Sequence, residues 1–100
     1  MIKTVEQQVE ERFSDTPVMI RIASCESGLR QFNMDGTVLR GVINPKDIGV
    51  FQINTDYHLE EAERLGIDIF TTKGNLEYAY VLYINEGTKP WNWSAGCWNS

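Results

Sequence analysis

The stretch VMIRIA, residues 18–23, constrains this chain more than any other. A helix apolar on nearly every side cannot lie on a surface; it is stable only as a central rod that other elements cover. Its ends are marked. Thr16 is a good N-cap and Pro17 suits a first helical turn. Gly28 supplies the left-handed stop. The spacing predicts a buried helix from Pro17 to about Ser27. With 100 residues, 42% of them hydrophobic and 11% aromatic, there is material for one core around that rod. The chain is therefore expected to form a single domain over residues 1–100.

The flanking segments predict what surrounds the rod. In VEQQVEERF, Val5, Val9 and Phe13 recur at helical spacing, and Ile2 extends the stripe. Asp35-Gly36 is a strong hairpin-turn pair. TVLRGVI (37–43) reads as a strand, NPKD (44–47) as a turn, and IGVFQIN (48–54) as a second strand. A helix capped by Thr55 or Asp56 runs through LEEAERLG to Gly66. After an apolar connector, IDIF, a last long helix in NLEYAYVLYINEG places Leu76, Ala79, Tyr80 and Tyr83 on one stripe and stops at Gly87. The tail KPWNWSAGCW holds all three tryptophans. The expected class is α+β: a helical body with a small antiparallel β-hairpin lobe.

Charge and composition exclude several functions. The net charge is −5 and the isoelectric point about 4.7. The nine basic residues are scattered singly, so the basic face a nucleic-acid binder needs is missing. No apolar run reaches the ~18 residues of a membrane span. The opening MIKTVEQQVEERF lacks the apolar core of a secretion signal, so the expectation is either a cytosolic chain or one whose native start is not Met1. Cys25 and Cys97 are the only cysteines. They can pair, closing a loop of about 73 residues worth roughly 4.4 kcal/mol on the chain-entropy account, or remain two buried thiols. With no CxxC and a single histidine, a zinc site is disfavoured. Neither a metal nor an organic cofactor is expected.

Two acids stand out. Glu26 occupies the last turn of the predicted central helix, where carbonyl dipoles and apolar neighbours both disfavour a carboxylate. That setting suits a general acid; the alternative, equally open on position alone, is an exposed Glu in a fraying last turn. Asp47 ends a turn and opens a strand, a polar setting that suits an ionised group or a turn residue bonding its own backbone. One neutral and one charged carboxyl make the glycosidase pattern. Glu60, Glu61 and Glu63 read as a solvated helix face, and Glu86 as a reserve second acid. Two rival chemistries are weaker: a Cys25 thiol with His58 as base lacks a supporting signature, and Asp56, His58 and Glu61 lack a second histidine for a metal.

Glu26-Ser27, followed by Asp47-Ile48-Gly49-Val50-Phe51-Gln52-Ile53-Asn54, resembles the lysozyme superfamily. The spacing D-x-G-x-x-Q-I-N is that of chicken-type lysozymes, and GVFQI is similar to the G-L-M-Q motif of soluble-type lytic transglycosylases. The closing N-L-x-x-A, G, P-W and C-W pattern is similar to both, so the likeness spans roughly residues 16–98. It implies a lysozyme-like fold with a cleft between body and lobe, and cleavage of the β-1,4 bond between N-acetylmuramic acid and N-acetylglucosamine. By that resemblance Glu26 protonates the glycosidic oxygen and Asp47 stabilises or traps the oxocarbenium-like centre. Gln52 and Asn54, alternating on one strand face, bind acetamido groups. Ser27 fixes the end of the Glu26 helix, and Trp91 screens Glu26 from water. A Cys25–Cys97 bridge then ties the tail, with Trp91 and Trp93, to that helix.

The chain also departs from both groups. It has at most one disulfide, and its Ala79-Tyr80-Val81 and Tyr83-Ile84-Asn85 only partly match the transglycosylase A-Y-N motif, so Tyr80 and Tyr83 are expected in the core. Asp47 favours hydrolysis over a transglycosylase reaction ending in 1,6-anhydro products. The acidic balance favours wall remodelling or a fusion-borne domain over bacteriolytic defence. The expected partner is peptidoglycan glycan strands, with no nucleic acid and no membrane, the expected state a monomer, and the expected location extracytoplasmic. The rival of another class is a non-catalytic glycan-binding module, which would keep Gln52, Asn54 and the tryptophans without needing an acid.

Overall fold

The helix predicted at 17–27 forms over those residues, as α2 (Pro17–Ser27), and its geometry sets the rest. Gly28 terminates it at φ 66°, a left-handed conformation that glycine adopts without a Cβ penalty. Thr16 precedes it, but its side chain makes no capping bond; the first turn begins from Pro17 instead. The computed structural model describes residues 2–99. Helix α1 (Val5–Arg12) packs on α2 through Val9, with Phe13 at its C-cap. It begins in a Thr4/Gln7 capping box. Ile2 does not extend the buried stripe: it lies beyond the cap and is 95% exposed.

The order continues with β1 (Asp47–Ile48), β2 (Ile53–Asn54), α3 (Thr55–Arg64), α4 (Thr72–Glu86), a 3-10 segment (Lys89–Ser94) and α5 (Ala95–Trp98). The class is α+β, mostly helical, with a two-stranded antiparallel sheet. Met19, Ile22 and Ala23 of α2 meet Phe51, Leu76, Ala79 and Trp91 in one core. The open side of α2 carries Arg21, whose Nε donates to the Trp98 carbonyl. The covalent link from Cys25 in α2 to Cys97 in α5 holds that tail in place. Tyr80 and Tyr83 are half-buried against the core, Tyr80 beneath the Arg12 guanidinium. Tyr78 and Leu82, outside the expected stripe, are also buried. Among the described residues no helix is long and apolar enough to cross a membrane.

The lobe differs most from expectation. Residues 37–43 form no continuous strand. Val38 bridges Phe32 across the Asp35-Gly36 turn, Arg40 bridges Ile48, and Val42 and Ile43 stand exposed on a loop. The 48–54 strand is broken too. Residues 49–52 reverse the chain, with Gly49 at φ 72° and Gln52 at φ 51°, so that Asp47 pairs with Asn54 and Ile48 with Ile53. Val50 and Phe51 at the reversal are fully buried, which is why an apolar turn reads as a strand.

A turn in a core needs partners for its amides. Buried Gln31 accepts from Val50 N at 2.9 Å, and buried Asn75 accepts from Phe51 N at 2.9 Å. Their amide nitrogens donate to the Ile69 carbonyl, and that of Asn75 also to Ile48. A side chain at position 49 would collide with both. The glycine of GVFQ is thus required by space as well as by φ.

Candidate active site

Glu26 sits in the last turn of α2, half-buried, between the rod and the tail. Its Oε2 accepts a hydrogen bond from Ser94 Oγ at 2.6 Å. Burial raises its pKa above the ordinary value, the Ser94 hydroxyl lowers it, and the Asp47 charge raises it again. The two carboxyls predicted from sequence are thus within electrostatic reach of each other, although 21 positions apart. Ser27 lies buried at the end of α2; its Oγ donates to the Ala23 carbonyl and accepts from Arg30 N, closing the helix end.

Asp47 lies on a groove of about 310 Å³, whose lining does not include Glu26. The NPKD turn places it there: Asp47 N donates to the Asn44 carbonyl, with Pro45 inside the turn. Asp47 Oδ1 accepts from Asn54 Nδ2 at 3.0 Å. Asn54, not Thr55 or Asp56, caps α3, its Oδ1 accepting from Tyr57 N. Gln52 also lines the groove, but it does not share a strand face with Asn54. It sits at the reversal, its Nε2 donating to the Gly49 carbonyl.

Trp91 forms part of the groove wall and is 3% exposed. Its indole N–H donates to the Phe51 carbonyl at 3.0 Å, fastening the tail to the reversal. Trp91 is linked to Glu26 through Ser94, which lies within hydrogen-bond distance of both. Trp93 stands on the groove rim, 72% exposed. The bonded Cys25 has no thiol to act as a nucleophile.

Sequence reasoning missed one contributor, Ser94, and weighed another, His58, only in other roles. The signal for Ser94 is its place three residues before Cys97, whose bridge partner adjoins Glu26. His58 reads from sequence as a weak base or metal ligand rather than as part of a groove. It is half-buried in the groove wall, its Nδ1 3.0 Å from the Tyr78 hydroxyl, and burial lowers its pKa against an opposing pull from Glu86. Glu86 lines the same groove but is exposed. Asp56, His58 and Glu61 do not converge: Asp56 pairs with Lys46 and Glu61 with Arg64. Among the described residues, no three His, Cys, Asp or Glu side chains gather as a metal site.

No protein-family model, no curated protein and no solved structure matches this chain.

Proposed function

We propose that the chain is a lysozyme-like glycosidase that cleaves the β-1,4 bond between N-acetylmuramic acid and N-acetylglucosamine in peptidoglycan. The observation that carries this reading is the placing of Glu26: a half-buried acid at a helix end, bonded by Ser94 Oγ, with its pKa raised by burial and by the Asp47 charge. A general acid works best with a pKa near the operating pH. Glu26 donates its proton to the glycosidic oxygen, the bond from that oxygen to the sugar C1 breaks, and the oxygen keeps the electron pair. Asp47 stabilises or captures the electron-poor C1. Asn54 orients Asp47 through the 3.0 Å amide bond, and Gln52 and Trp91 supply polar and apolar groove surface. The disulfide fits an oxidising, extracytoplasmic setting, with a monomer acting on glycan strands there.

Purified sacculi test the reading. Glu26→Gln is expected to slow muropeptide release by roughly 10²–10⁴-fold, the usual worth of a general acid. Equal release by wild type and variant would overturn Glu26 as the acid, and no release by either would leave only a glycan-binding module. The wild-type rate should fall on an alkaline limb above the ordinary glutamate value; a limb at about 4.3 would contradict the burial argument. Mass spectrometry identifies the attacking group: reducing ends mean water, whereas 1,6-anhydro ends mean the muramic C6 hydroxyl and a lytic transglycosylase.

A further inference from the structure

We propose that Ser94 is a positioning residue for Glu26, its hydroxyl hydrogen shared between the Trp91 carbonyl and Glu26 Oε2 and committing to Oε2 as the acid gives up its proton. This rests on the reading of Glu26 as general acid. Three groups surround Ser94 Oγ: Glu26 Oε2 at 2.6 Å, the Trp91 carbonyl at 3.1 Å, and Trp98 Nε1 at 3.1 Å. The first two are acceptors for one hydroxyl hydrogen, and the indole can only donate. A serine hydroxyl has one hydrogen, so it cannot serve both acceptors fully at once.

The protonation state of Glu26 decides between them. With the transferable proton on Oε1, Oε2 is a neutral carbonyl oxygen and competes with the Trp91 carbonyl on similar terms. When that proton passes to the glycosidic oxygen, the carboxylate becomes the stronger acceptor and takes the hydrogen bond. The Trp91 carbonyl is not orphaned, because Trp98 Nε1 also donates to it at 3.2 Å. The hydroxyl hydrogen reorients while the heavy atoms stay in place, and it is not itself transferred. The bond strengthens as charge develops on Glu26, which is stabilisation weighted toward the transition state. When water or the muramic hydroxyl returns a proton to the acid, the hydrogen swings back.

The surroundings hold Ser94 for this task. It ends the 3-10 segment, with Trp91 anchored to the Phe51 carbonyl on one side and Cys97 bonded to Cys25 on the other. Cys25 adjoins Glu26 in sequence, so the disulfide joins the two segments that the Glu26–Ser94 bond spans.

The test compares wild type with Ser94→Ala and with the near-isosteric pair Ser94→Thr and Ser94→Val. Rates on sacculi are read against pH, and the Glu26 side-chain carboxyl is titrated by carbon-13 NMR. Ser94→Ala and Ser94→Val should lower kcat roughly tenfold, equivalent to the loss of one charge-assisted hydrogen bond, with KM little changed. Both should move the alkaline limb and the NMR midpoint to higher pH, because a group that stabilises the carboxylate has gone. Ser94→Thr should keep the wild-type limb and midpoint. An unchanged midpoint and limb in Ser94→Val would overturn the proposal, because a merely structural serine gives that result. Wild type that releases no muropeptides would overturn the catalytic role along with the glycosidase reading. The NMR midpoints would still report whether Ser94 bonds the carboxylate.

Discussion

Glu26 is governed by opposed influences: burial and Asp47 favour the neutral acid, and the Ser94 hydroxyl favours the carboxylate. Burial is the largest, so the folded chain holds this proton more tightly than the unfolded chain does. By linkage, the stabilisation this provides is fully present below the ordinary glutamate value and is lost as pH rises through the raised folded one. Glu26→Gln is permanently neutral and never incurs the cost of ionisation. Its melting temperature should therefore exceed that of wild type at about pH 8 and converge with it at about pH 3.5, where both side chains are uncharged. Parallel melting curves across that range would mean that Glu26 titrates as an ordinary surface acid. A buried acid kept where a permanently neutral amide would be more stable is a familiar trade between function and fold.

At the scale of elements, the reversal at 49–52 joins the lobe to the body, and two buried amides hold it there. Asn75 lies in α4 and reaches across to Ile48 and Phe51, so a helix far along the chain sets the position of the strand that carries Asp47. Asn75→Ala leaves the Phe51 N–H and the Ile48 carbonyl without these partners. Unsatisfied buried groups cost about 1–3 kcal/mol each, so a loss of about 2–4 kcal/mol is expected in urea denaturation, one of the large effects known from single substitutions. Denaturation at the wild-type midpoint would show that water replaces the amide without cost. On the proposed glycosidase reading, the same substitution should lower activity more than a surface change in α4 such as Lys73→Ala, because it loosens the Asp47 strand.

Over the whole molecule, charge is the governing quantity. The net charge is −5, and Asp47 and Glu86 line the groove, whose lining among the described residues includes no lysine or arginine. On the proposed glycosidase reading, an anionic wall polymer is repelled at long range, and salt screens that repulsion over a Debye length of about 30 Å at 0.01 M and about 8 Å at 0.15 M. Muropeptide release should therefore rise as salt increases across that range, the reverse of what a strongly basic enzyme would do. A rate that fell with salt would place a cationic contact in the encounter that the groove does not provide.

Local chemistry made much of this chain legible. The α2 boundaries follow from Pro17 and Gly28, the Asn44–Asp47 turn from Pro45, and the end of α4 from Gly87, because each depends on the φ or N–H of a residue at that point. The placing of Asp47 beside a turn was readable for the same reason. What sequence could not settle were contacts between segments distant in the chain. Val50 and Phe51 look like a strand until Gln31 and Asn75 are seen to cap their amides inside the core. Ser94 looks like a tail serine until the Cys25–Cys97 link brings it to Glu26. Backbone preference acts over a few residues and can be read in order along the chain. Burial, hydrogen-bond partnership and the field at a carboxyl depend on which distant residues arrive beside it, and tertiary packing alone decides that.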